Sequence, residues 1–150
     1  MLERFERFSL AISEISRYWH KLAADELKKY GLKGAHAVYL TTMYKYPDGI
    51  TVPQLCEECG KDKSDASRMI AILEQKGLVK KQMVDKSLYR GLLVLTEEGR
   101  TAAEHVCERA IRAVEISGKD LSNKDREVFY NSLESIASNL QKLSEEGIPE

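Results

Sequence analysis

The 150-residue chain has almost none of the marks of a catalyst. It holds no Gly-x-Ser-x-Gly nucleophile turn, no glycine-rich phosphate loop, no His-Glu-x-x-His and no dinucleotide-binding glycine pattern. Cysteine is scarce: three residues, an odd number that does not make a disulfide scaffold. Proline stops at three and glycine at nine, so no low-complexity or collagen-like tract is present. The longest run of branched aliphatic residues, Leu92 to Leu95, is far too short to span a bilayer. Met1 to Arg7 alternates acids and bases and lacks the apolar stretch of a secretion signal. A cytoplasmic protein with no membrane partner is the expectation. With 43% hydrophobic residues the chain can still build a real core, which excludes global disorder.

Charge is nearly balanced overall, at −1, but unevenly placed. Lys61 to Arg90 carries eight bases against four acids, whereas Leu121 to Glu150 carries three bases against six acids. A basic middle in a neutral chain points to a local polyanion site.

Helical periodicity dominates. Leu2, Phe5, Phe8, Ile12, Ile15, Trp19 and Leu22 draw one apolar stripe on a long first helix that Gly31 closes. Val38, Thr42, Met43 and Tyr46 fit a second helix. Thr51 and Gln54 form a capping box, and Ile50 and Leu55 a hydrophobic staple, at the start of a third. After the break at Gly60, Asp62 caps a fourth helix with Ala66, Met69, Ile70 and Leu73 on one face. Gly77 ends it. Leu78–Met83 and Tyr89–Leu95 read as two strands of a hairpin. Thr96 caps a fifth helix with Ala103, Val106, Cys107, Ala110 and Val114 inside, and Gly118 stops it. Ser122 opens a last helix, whose Phe129, Leu133, Ile136, Leu140 and Leu143 follow coiled-coil steps. The fold class expected is mainly α with a small β-hairpin wing: a winged helix–turn–helix with flanking N- and C-terminal helices.

On the fourth helix, the face away from the core carries Ser64, Ser67, Arg68 and Ala71, with Lys63 in the first turn. Small polar residues permit close approach to a major groove, and one or two long donors reach base edges or phosphates. Arg68 is the candidate for base or phosphate contact, Lys63 for phosphate, and Ser64 and Ser67 for either. Asp65 stands among them, where DNA would repel a carboxylate; it either tilts away from the groove or accepts from cytosine. On the hairpin, Lys86, Tyr89 and Arg90 can reach the backbone or an adjacent minor groove. The other reading of this face is a winged helix that docks protein rather than DNA.

Asp62-Lys63-Ser64, Ser67-Arg68, Leu73-Glu74 with Gly77-Leu78-Val79, and Leu95-Thr96-Glu97-Glu98-Gly99 together resemble the MarR-type winged-helix transcriptional regulators. The motifs align without a gap, and the flanking helices match in number and order. The usual wing has Asp-x-Arg where Ser87 and Tyr89 stand. This chain has Asp85 and Arg90 out of that register, so the base supplied by the wing is left open.

The resemblance implies one domain over 1–150. Its parts are dimerisation helices at 1–32 and 119–147, a DNA-binding lobe at 33–100 and a connecting helix at 97–117. It implies a homodimer on a pseudo-palindromic duplex with half-sites about 34–36 Å apart, more often a repressor, with no cofactor and no catalytic role. It also implies a small aromatic effector. Tyr18, Trp19, His36 and Tyr39 are pocket candidates on that basis, and core or boundary aromatics otherwise.

Cys56 and Cys59 form Cys-x-x-Cys, but the second ligand pair of a zinc site is missing, so no metal is expected. With Val52 and Leu55 they share the i, i+3, i+4, i+7 face of the third helix, which reads as two small residues turned to the core. A thiol-responsive regulator is the other reading.

Overall fold

The helix starts are set locally, and the expected caps form. In the computed structural model, which describes residues 1–83 and 91–149, Thr51 accepts from the Gln54 amide while Gln54 Oε1 accepts from the Thr51 amide. Asp62 Oδ1 accepts from the Asp65 amide at 2.8 Å, and Ser122 Oγ from the Asp125 amide at 3.1 Å. Each cap satisfies an amide that has no partner inside its own helix.

Among the described residues there are six α-helices and one antiparallel strand pair: α1 Leu2–Leu27, α2 Ala37–Tyr44, α3 Val52–Cys59, α4 Lys63–Gln75, β1 Val79–Met83, β2 Gly91–Leu95, α5 Glu97–Ser117 and α6 Asn123–Glu146. Single 3-10 turns at Lys28–Tyr30 and Gly34–His36 join α1 to α2. The strands pair antiparallel, with Val79 opposite Leu95 and Met83 opposite Gly91. Ile50 adds a bridge to the free edge of β2: its N–H donates to the Leu93 carbonyl, and Leu93 N–H donates back. The loop just before α3 is thereby fixed to the hairpin.

The chain forms two compact units, Met1–Ala110 and Ile111–Glu150. In the first, Leu27, Tyr39, Leu40, Met43, Ile50, Leu55, Ala66, Ile70, Leu73, Leu93, Ala102 and Val106 make one buried cluster. A fully buried leucine of this kind contributes about 1.5–3 kcal/mol relative to an exposed one. The closest approach is at the root of the hairpin. A Cβ on Gly99 would collide with the Leu78 carbonyl oxygen, so only glycine fits in the first turn of α5. Thr96 clamps the same junction. Its Oγ1 donates to the Gly77 carbonyl at 2.6 Å and accepts from Gly99 N–H at 3.0 Å.

In the second unit, α6 buries none of its residues. Phe129, Leu133, Leu140 and Leu143 are exposed, and only Ile136 of the predicted seam is half-buried. In the first unit, the α1 stripe behaves alike: all seven of its predicted residues are exposed, and only Leu27, at the C-terminal end of the helix, is buried.

Candidate nucleic-acid interface

The turn between α3 and α4 needs a left-handed residue, and Gly60 supplies it at φ 62°. Asp62 then starts α4, with Ala66, Ile70 and Leu73 in the core. That burial fixes the rotation of the helix, and Lys63, Ser64, Ser67, Arg68 and Ala71 are left exposed along its outer face. The side chains are short on either side of two long donors, so an extended polyanion can come close to the helix backbone. The first-turn amides, beyond the one taken by the Asp62 cap, add positive potential at the same end.

Asp65 stands between that face and the core. Its Oδ2 accepts from the Tyr39 hydroxyl at 2.7 Å, and its Oδ1 lies 3.2 Å from Arg68 Nη2. Tyr39, on α2, is fully buried. Burial and the neighbouring carboxylate both push the tyrosine hydroxyl pKa up, so it stays a proton donor to Asp65. The carboxylate is thus shared between the core, through Tyr39, and the outer face, through Arg68. Twenty-six residues separate the partners, and no local sequence signal announces the pair.

The four pocket candidates divide. His36 and Tyr39 are inside the core; Tyr18 and Trp19 are exposed on α1. His36 Nδ1 lies 3.1 Å from both the N–H and the carbonyl of Lys33, and its buried Nε2 has no partner among the described residues. Burial pushes its pKa down, which keeps the ring neutral. Tyr39 is occupied by Asp65.

Of the wing candidates, Lys86, Tyr89 and Arg90 lie outside the described residues. The described part of β1 adds two exposed bases, Lys80 and Lys81. Lys81 is 4.0 Å from Glu74 of α4.

Cys56 and Cys59 are half-buried on the inner side of α3. Cys59 Sγ points at the Val38 carbonyl and the Thr42 hydroxyl of α2, at 3.8 and 3.5 Å. Burial pushes its thiol pKa up, away from the reactive thiolate. This environment is that of a small core residue. Among the described residues no three His, Cys, Asp or Glu side chains are grouped to hold a metal, and no helix is long and apolar enough to cross a membrane.

A further cluster lies across the chain. Glu26 of α1 accepts from Arg109 Nε at 2.8 Å and pairs with His105 Nε2 at 2.8 Å, both from α5. The partners lie 79 and 83 residues apart, so no local sequence signal announces them.

Comparison with known proteins fits this geometry. The family model of the MarR family matches residues 30–86, from within the α1–α2 connection to just past β1. A MarR transcriptional regulator from Methanosarcina mazei Go1 is 26% identical, with a TM-score of 0.78 over 92% of this chain and 99% of that one. A putative MarR-family transcriptional regulator from Listeria monocytogenes, solved with a 26-mer DNA, is 21% identical, with a TM-score of 0.79 over 93% and 95%. MepR of Staphylococcus aureus, solved as a DNA complex, is also 21% identical, with a TM-score of 0.79 over 89% and 96%. No curated protein matches the chain. The family match spans the helix–turn–helix, the likeness to the Methanosarcina mazei regulator runs nearly the whole length, and the chain is accordingly similar to the MarR family of winged-helix transcriptional regulators over residues 30–86 by family model and over most of its length by fold.

Proposed function

We propose that the protein is a cytoplasmic, homodimeric, sequence-specific DNA-binding repressor. α4 enters the major groove, and Lys86, Tyr89 and Arg90 contact the flanking backbone or minor groove. The observation that carries this reading is the outer face of α4. Its rotation is fixed by Ala66, Ile70 and Leu73, and it exposes Lys63, Ser64, Ser67 and Arg68 together. Arg68 reads a base edge, Lys63 contacts phosphate, and the two serines allow the close approach. Two relatives of the same fold are solved with DNA, which supports the same assignment.

The exposed apolar stripes of α1 and α6 support the dimer. Each is an amphipathic face with no cover in its own unit, and uncovered stripes of this length mark association surfaces. Release by a small aromatic effector belongs to the same reading. Tyr18 and Trp19 are the candidates open to such a molecule, since Tyr39 and His36 are enclosed.

The test is selection of a random duplex pool by the purified protein near physiological salt. Recovery of a pseudo-palindrome with half-sites about 34–36 Å apart is expected. A folded, dimeric sample that enriches nothing overturns the DNA assignment in favour of a winged helix that docks protein.

A further inference from the structure

Asp65 is out of place on a face that meets phosphates, yet it is the best-anchored side chain there. Its two oxygens are divided. Oδ2 is held from inside by the Tyr39 hydroxyl at 2.7 Å, and Oδ1 is turned outward to Arg68 Nη2 at 3.2 Å. Its side chain is 27% exposed, and that of Arg68 is 71% exposed. An exposed i, i+3 ion pair between two mobile side chains holds geometry poorly. Here one partner is not mobile. Tyr39 is fully buried, so its hydroxyl is fixed by packing, and it fixes the carboxylate in turn. The Asp62 cap on the Asp65 amide fixes the backbone at the same residue.

Two consequences follow. A guanidinium bonded through one Nη keeps its other donors for a ligand and loses less rotamer freedom on binding. A carboxylate beside it also cancels part of the charge that would attract any phosphate, and that attraction supplies most non-specific affinity. The pair therefore favours directional contact over indiscriminate contact.

We infer that Asp65, anchored by Tyr39, is a positioning residue for Arg68, and that it raises discrimination between the operator and other DNA rather than overall affinity. The inference rests on the proposed DNA reading. Asp65 itself touches no base; it acts through Arg68. Helix α2 thereby has a direct mechanical hold on the reading side chain, through one hydrogen bond from the core.

The full-length protein is assayed on its selected operator and on an unrelated duplex of equal length, across a salt series. The quantity compared is the ratio of the two affinities, which does not depend on the folded fraction. Tyr39→Phe keeps the ring and every charge. It is expected to lower the ratio roughly three- to tenfold, the worth of about one hydrogen bond, with non-specific binding changed less than about twofold. Asp65→Asn removes a negative charge. It is expected to tighten non-specific binding, steepen its salt dependence by about one ion per protomer and lower the ratio as well. In an Arg68→Ala background, Tyr39→Phe is expected to leave the ratio unchanged. An unchanged ratio in Tyr39→Phe alone overturns the inference. So does a loss that persists without Arg68, which would make Tyr39 a packing residue of α4. Failure of the DNA reading is recognised separately and first: the unmutated protein would prefer no duplex, and the inference would fall with it.

Discussion

The lobe around α2, α3 and α4 and the C-terminal helix α6 are equally regular helical structure, built from similar apolar spacing. They end in opposite conditions. Leu55, Ile70 and Leu73 are enclosed, whereas Phe129, Leu133 and Leu140 at the same kind of position are open. A period of 3.6 specifies that a helix has an apolar face; it does not say what covers the face. In the lobe the cover comes from the hairpin and neighbouring helices of the same chain. On α6 it does not come from the helix's own unit, and a second copy of the chain is the cover proposed. The difference teaches that burial, rather than periodicity, separates a core helix from an association helix.

The largest effect expected is on the lobe. Leu73→Ala removes a fully buried side chain between α4 and the core and should destabilise the protein by about 2–5 kcal/mol. Urea denaturation followed by helical circular dichroism measures it. The loss should be the same at every protein concentration, because the cavity is inside one chain. A loss under 1 kcal/mol would mean that α4 is not held as described.

Leu133→Arg on α6 is the matching change on the other side of the comparison. Placed at the centre of a dimer interface it should weaken association by about 2–4 kcal/mol. Sedimentation equilibrium should show monomer where the unmutated protein is dimer. The lobe should keep its helical signal, since no residue of α6 is buried. An unchanged dimer would remove α6 from the interface and blunt the contrast.

A smaller effect belongs to the lobe's hairpin root. Thr96→Val keeps the volume and loses two hydrogen bonds, to the Gly77 carbonyl and from Gly99 N–H. About 1–2 kcal/mol should be lost in thermal unfolding. Thr96→Ser, which keeps the hydroxyl, should recover most of it.

Short-range structure was legible in the sequence because its causes are short-range. Thr51 with Gln54, Asp62, Thr96 and Ser122 each act on an amide three residues away, and each was found where its spacing required. The outer face of α4 was legible for the same reason, since the inner face fixes it. What the sequence did not reveal involves partners far apart along the chain. Asp65 read as a carboxylate awkwardly placed before DNA until Tyr39, from α2, was seen to hold it from within. Tyr39 and His36, which could stand either in an effector pocket or in the core, are enclosed among core residues. Only the fold brings these groups together, and an aromatic or a histidine on an apolar face reads alike in either setting. The wing bases Lys86, Tyr89 and Arg90 fall outside the described residues, so their part in the interface stays with the proposal.

The smallest effect expected probes the ionic tie that Glu26 makes between α1 and α5. Glu26 pairs with Arg109 and His105, and its carboxyl is held below its ordinary value of 4.5, first by the hydrogen bond from Arg109 and then by that from His105. A carboxyl with a lower pKa folded than unfolded binds fewer protons in the native state. Its contribution is therefore complete above about pH 4.5 and is lost as pH falls through the folded value. Glu26→Gln should cost little at pH 7, because the pair is partly exposed and screened by solvent and salt. It should also flatten the acid limb of the stability curve below pH 4.5. Denaturation midpoints at pH 7, 5, 4 and 3 for the two proteins test both points, and the difference between them should shrink toward the acid end. A difference that grows on acidification has the wrong sign for this carboxylate and would break the tie between α1 and α5.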